Sequence, residues 1–287
     1  MIGDIFKTIL TYPILNLMVA LYHILFNNLG LAIIAIAIIS RLALIPLTKT
    51  QTEMTKKMAT LKPELDKLKK KYANNPEQLS KEQMKLYKKV GYNPLGCLGT
   101  LIPQLIILSV LIGVIRAITN NNTEGIYEFI LNWVSKGTGE FAINQNFLGL
   151  NLTHTYSDLS GEFGRFSMQA IPYLILALVV GLIQFVTTKL TMVLQNPTAT
   201  QSKKKSNKKK SAEPNMEGMQ EGMTKSMMYM FPLMTIFISI SAPAALGIYW
   251  IVQSFMLIAQ YFILDFDQSK KGVQNLFTQL KSKFTKK

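Results

Sequence analysis

Apolar residues in this chain gather into long, sparsely interrupted runs, at 29–47, 95–118, 168–190 and 227–264. Runs of about 18 or more are the signature of helices that cross a bilayer. The last run has 38 residues. As helix it would extend roughly 57 Å at about 1.5 Å per residue, against a hydrocarbon core about 30 Å thick. It must fold back, and "SAPAAL" at 241–246 supplies the place. Pro243 has no N–H and disfavours helix at Ala242. The pattern therefore predicts five spans, at 29–48, 95–118, 168–190, 226–242 and 244–264. The expected fold class is an all-α polytopic membrane protein.

Shorter patterns fill in the rest. Residues 13–27, "PILNLMVALYHILFN", carry Asn16 and His23 and end at a turn-like Asn27-Asn28. That length is short for a span and favours an N-terminal interfacial helix within 1–28, with a sixth span as the alternative. A cleavable signal peptide is not expected, because Lys7 is the whole of the basic region and no small-residue site follows. In 49–92, Met54, Met58, Leu61, Leu65, Leu68 and Tyr72 recur every three or four residues and form one helical stripe. Asn75 suits an N-cap and Pro76 the first helical position. Leu79, Leu86, Tyr87 and Val90 then mark a second arm. A helical hairpin results, with Pro63 expected to kink its first arm. It is either a solvated spacer whose stripes cover each other or a docking arm for substrate or partner. Met216, Met219, Met223, Met227, Met230 and Met234 also recur at helical spacing, suited to ordinary packing or to varied apolar partners.

Charge sets a direction. The chain of 287 residues carries a net charge of +15. Twelve lysines fall in 49–91, eight in 189–225 and six beyond 265. These basic segments alternate along a five-span path, so one topology satisfies them all. The N-terminus and the 119–167 loop lie outside. The hairpin, the 191–225 loop and the 265–287 tail are cytoplasmic. "QSKKKSNKKKSAEP" at 201–214 is of low complexity and reads as disordered. Such runs are either topology determinants or tethers to ribosomal RNA or anionic lipid.

The chemistry of the spans is sparse. None of the five contains Asp or Glu, which weakens a proton- or sodium-coupled carrier. Cys97 is the single cysteine, and His23 and His154 are far apart. No disulfide framework, metal-ligand cluster, nucleophile–base pair or phosphate-binding glycine loop is present. No enzyme activity, cofactor or metal is therefore expected. What the spans do carry is Arg41, hydroxyls and the amides Gln104, Gln184, Gln253 and Gln260. Arg41 stands about 18 Å along the helix from Leu29 and about 9 Å from Leu47, on the cytoplasmic side of the midplane. It either snorkels to the interface or faces a hydrated groove.

At these residues the sequence resembles the YidC/Oxa/Alb membrane protein insertases, in the short bacterial form. "SRLALIPLTKTQ" is similar to the family's first core span, and "LYKKVGYNPLGC" to the close of its cytoplasmic hairpin. "FPLMTIF" and "PAALGIYW" resemble the start of the fourth span and the fourth-to-fifth junction. The resemblance implies a five-helix bundle around a hydrophilic groove open to cytoplasm and lipid. Arg41 matches the groove arginine, and Tyr249 and Trp250 match fifth-span aromatics. Three positions depart from the family pattern. Pro103 precedes Gln104, Thr187 stands where a glutamine is usual with Gln184 one turn earlier, and Ser254 replaces a common asparagine.

The site expected from all this is Arg41, Gln104, Gln184, Thr187, Tyr249, Trp250 and Gln253. The resemblance implies nascent membrane proteins and the lipid bilayer as partners. It also suggests the ribosome through the basic tail and loops, the Sec translocon and the signal recognition pathway, and no DNA. A small channel or transporter with an anion site at Arg41 remains open, as does an assembly factor for membrane complexes.

Overall fold

The computed structural model describes residues 2–73, 75–89, 91, 101–120, 122–135, 143–195, 216–264, 266–267, 269–274 and 278. Cys97 and the whole low-complexity stretch 201–214 lie outside the described residues, as does most of the basic tail. So do the side chains of Gln104, Met54, Met58, Met216, Met219, Met223 and Met227. The chain forms two compact units. The first comprises Met1–Ala43, Ile102–Gln184 and Pro232–Met256, and the second Leu44–Leu101, Phe185–Phe231 and Leu257–Lys287.

In the first unit the N-terminal helix runs further back than its pattern suggests. α1 (Ile2–Phe6) continues through a π-helical turn (Lys7–Thr11) into α2 (Tyr12–Ile24). Pro13 was the expected start, but it sits inside the helix. It cannot donate to Ile9, and its ring crowds that carbonyl. The wider turn, in which the Tyr12 N–H donates to the Lys7 carbonyl, absorbs the mismatch just upstream. The stretch Gly3–Ile24 is long and apolar enough to cross a membrane, as are Ile171–Met192 and Ala244–Leu264.

Phe26 and Asn27 take left-handed conformations that reverse the chain. Asn28 then caps α3 (Leu29–Ala43), its Oδ1 accepting from the Leu31 N–H at 3.1 Å. α6 (Leu101–Thr119), the first part of α9 (Ile171–Gln195), the end of α10 (Met216–Ser241) and most of α11 (Ala244–Leu264) complete the helices of this unit.

The described residues of 119–167 form a folded cap. It contains α7 (Glu128–Ser135), a two-residue hairpin β1 (Asn146–Phe147) and β2 (Leu150–Asn151), and α8 (Tyr156–Phe163). The strands pair antiparallel, Asn146 opposite Asn151 and Phe147 opposite Leu150. Leu148 and Gly149 form the turn with positive φ at both positions. Among the described residues this small ladder is the one departure from helix and loop.

Polar side chains fix the cap to the helices. Asn16 is buried on α2, and its Nδ2 donates to the Tyr12 and Gly125 carbonyls at 2.8 and 2.7 Å. Its Oδ1 accepts from the Tyr127 N–H at 2.7 Å. The Tyr22 hydroxyl accepts from the Asn144 N–H at 2.9 Å. The Tyr173 hydroxyl accepts from the Asn151 N–H and donates to the Asn151 carbonyl. At Gly125 a side chain would face two obstacles, a φ of +84° and the ring of Tyr12.

One apolar core gathers the cap and the helices. It includes Leu15, Met18, Leu29, Ile33, Leu111, Ile115, Leu152, Leu246 and Tyr249.

In the second unit, α4 (Ile45–Lys71) and α5 (Pro76–Lys89) pack as a pair. Leu61, Leu65, Leu79 and Tyr87 are buried, with Leu86 and Leu68 half-buried beside them. Asn75 caps α5, its Oδ1 accepting from the Gln78 N–H at 3.1 Å. Pro63 lies inside α4 without ending it. The apolar pattern does not mark Gln83, yet it is fully buried on the stripe of Leu79 and Tyr87. Its amide has no hydrogen-bond partner among the described residues. Glu82 accepts from Lys85 Nζ at 2.7 Å and holds that ammonium's pKa above the ordinary lysine value.

Replacing Asn16 with leucine keeps the branched shape but leaves the Gly125 carbonyl and Tyr127 N–H unpaired. The expected cost is about 2–4 kcal/mol, read as a lower unfolding midpoint of the detergent-solubilised chain. An unchanged midpoint would show that the clamp carries no stability.

Candidate functional site

Arg41 sits in the last turn of α3, and its side chain is half-buried. The helix stops there because Pro46 follows. Without its N–H the Leu42 carbonyl has no helical donor, and the chain breaks at Leu44 (φ −87°, ψ 0°) before α4 begins. The spacing of Arg41 and Pro46 therefore places a permanent cation among the last carbonyls of a helix. The helix dipole favours positive charge at that end. This partly offsets the cost of a guanidinium in apolar surroundings.

An amide of α11 meets this helix end. Gln253 on α11 is buried, and its Nε2 donates to the Ala37 carbonyl at 3.0 Å and to Ser40 Oγ at 2.9 Å. Ser40 Oγ in turn donates to the Ala37 carbonyl at 3.0 Å. Gln253 Oε1 is buried without a partner among the described residues. An orphaned amide oxygen has the chemistry of a water-binding position. A second link joins α11 to α9, where Ser254 Oγ donates to Gln184 Oε1 at 3.3 Å.

The expected site residues thus divide. The fold brings Gln253 to the turn that carries Arg41, and Gln184 to Ser254. Tyr249 is completely buried in the apolar core, one helical turn before Gln253 on the same face. Trp250 is half-buried and packs against that core. Thr187 belongs to the second unit, buried, with no partner for its hydroxyl among the described residues.

Ser40, Thr235 and Ser239 were not among the expected residues. Ser40 completes the Gln253 contact. Thr235 and Ser239 are buried one turn apart on α10. Their signal in the sequence is weak, since single hydroxyls in apolar helices commonly bond their own backbone.

The Gln253–Ser40 contact predicts thermodynamic coupling. A double-mutant cycle of Gln253→Leu and Ser40→Ala should give about 0.5–1.5 kcal/mol in detergent unfolding. Additive effects would mean that the contact contributes nothing.

Residues 20–271 match the family model described as 60Kd inner membrane protein. The membrane protein insertase MisCA of Bacillus subtilis is 30% identical over 269 residues, covering 91% of this chain and 79% of the relative. The membrane protein insertase YidC of Fusobacterium nucleatum is 30% identical over 248 residues, covering 86% and 88%. Inner membrane protein ALBINO3 of Arabidopsis thaliana chloroplasts is 29% identical over 241 residues, covering 82% and 46%. With four-fifths or more of its length matched in each case, the chain belongs to the 60Kd inner membrane protein family, the family of the YidC, Oxa and Alb proteins.

Proposed function

We propose that this chain is a membrane protein insertase working through a hydrated groove at Arg41. The observation that carries the reading is the polar knot of Gln253, Ser40 and the Ala37 carbonyl at the turn bearing Arg41, in a chain of this family. The substrates are nascent membrane proteins, and the working surface is the lipid bilayer. Five spans at 29–48, 95–118, 168–190, 226–242 and 244–264 surround the groove. Gln104, Gln184, Thr187, Tyr249 and Trp250 supply further groove positions or its supports.

The chain sits in the bacterial inner membrane with its N-terminus outside and its tail in the cytoplasm. The helix within 1–28 lies at the outer interface. Its bonding supports this: Tyr12, Asn16 and Tyr22 all bond to the 119–167 cap, which must itself lie outside the bilayer.

The physical task is to carry a polar segment past hydrocarbon, where each unpaired backbone group costs several kcal/mol. A wet groove reaching partway across shortens that barrier. Arg41 keeps it hydrated and attracts acidic residues of the passing segment. The substrate's apolar helix then leaves for lipid, driven by hydrophobic transfer. This needs no nucleotide, cofactor or covalent step. The hairpin at 49–92 receives substrate. The basic tail and loops hold the ribosome nearby, and the Sec translocon and signal recognition pathway deliver part of the traffic.

The test is complementation of cells depleted of their own insertase. Arg41→Ala should lose insertion of substrates with acidic translocated segments, and Arg41→Lys should recover most of it. Full rescue by Arg41→Ala would overturn the role of the charge.

A further inference from the structure

A second cationic feature stands at the end of another helix, α6. Ile112 and Arg116 of α6, Phe237, Ile238 and Ser241 of α10, and the Ala242–Leu246 junction enclose a cleft of about 400 Å³. Arg116 stands in the last turn of α6, three residues before that helix gives way to the 119–167 cap. It is exposed, and none of the residues lining the cleft carries a carboxylate. The Ser241 hydroxyl is exposed at the C-terminus of α10.

The nearby backbone donors are already engaged. The Ala244 N–H donates to the His154 carbonyl, the Ala245 N–H to the Leu152 carbonyl, and the Leu246 N–H to the Pro243 carbonyl. An anion in this cleft is therefore left with side-chain donors, Arg116 and Ser241. The remaining walls are apolar. Phe237 is 70% exposed, and Leu233 and Met234 continue the same exposed face along α10 at helical spacing.

A cation above an apolar track that runs down a membrane helix matches an amphiphile with an anionic head. We propose that this cleft binds one phospholipid of the leaflet next to the 119–167 cap. The Arg116 guanidinium, with the Ser241 hydroxyl, takes the phosphate. One acyl chain follows Phe237, Ile238 and Met234. A small soluble anion would satisfy Arg116 but leave the apolar track uncovered, whereas a lipid satisfies both. The bound lipid also fills the space beside the α10–α11 junction.

The experiment is native mass spectrometry of the full chain released from detergent, titrated with phosphatidylglycerol. The wild-type chain should retain one lipid that Arg116→Gln binds roughly tenfold more weakly, with Arg116→Lys in between. Phe237→Ala, at an exposed position, should also weaken retention. Arg165→Gln, in the cap and outside the cleft, should leave it unchanged. Equal occupancy in wild type and Arg116→Gln would overturn the site. So would an equal loss with Arg165→Gln, which would mean diffuse attraction, or displacement of the lipid by equimolar inorganic phosphate, which would mean a soluble-anion site. Thermal unfolding of each variant separates lost binding from lost fold, and loss of binding at an unchanged midpoint supports the site.

Discussion

The first N–H groups of a helix have no acceptor within it, and at the start of α11 they are buried inside the protein. Pro243 ends the preceding turn, and Ala244 and Ala245 present bare donors immediately afterwards. Their partners come from about ninety residues earlier in the chain, the carbonyls of His154 and Leu152. Without those two bonds the fold-back at Pro243 would bury two unpaired groups at a cost of about 1–3 kcal/mol each. The cap is therefore structural, because it makes the α10–α11 junction tolerable. The other ties, from Asn16, Tyr22 and Tyr173, set the cap's height against α2 and α9 so that those carbonyls arrive where the helix begins.

Three of the prolines, Pro13, Pro46 and Pro243, act differently, according to what can replace the missing donor. At Pro13 a widened turn takes up the mismatch and the helix continues. At Pro46 nothing does, the helix ends at Ala43, and Arg41 is left beside terminal carbonyls. At Pro243 the break is needed, and the cap supplies acceptors. The guanidinium in an apolar run follows from the second case. The proline five residues later turns what would be a mid-helix charge into a charge at a helix end.

Local features were legible in the sequence and remote pairings were not. Asn75 as a cap, the stripe of Leu61 and Leu65, and the reversal at Pro243 each depend on a few neighbouring residues, and each stands in the structure. The cap resisted reading because many of its bonds join remote residues, such as Asn16 with Tyr127 and Tyr22 with Asn144, each more than a hundred positions apart. No periodicity encodes such a pairing. Gln83 was missed for the opposite reason: a polar residue on an apolar stripe reads as solvated, yet it is buried. For the candidate site, Arg41 was visible as an anomaly. That Gln253, rather than another amide, would reach its helix depended on how α3 and α11 meet.

The ring of Phe147 lies where a side chain on residue 30 would begin, so the cap rests on α3 through the space of a missing methyl group. Directly after Phe147 the chain turns at Leu148 and Gly149, with Leu148 exposed and nothing packed on Gly149. Within a few residues the loop passes from an intolerant seat to a free tip. An epitope or fluorophore placed at that tip would report from the folded cap without disturbing it, whereas even the smallest side chain at Gly30 would lift the cap from its helix.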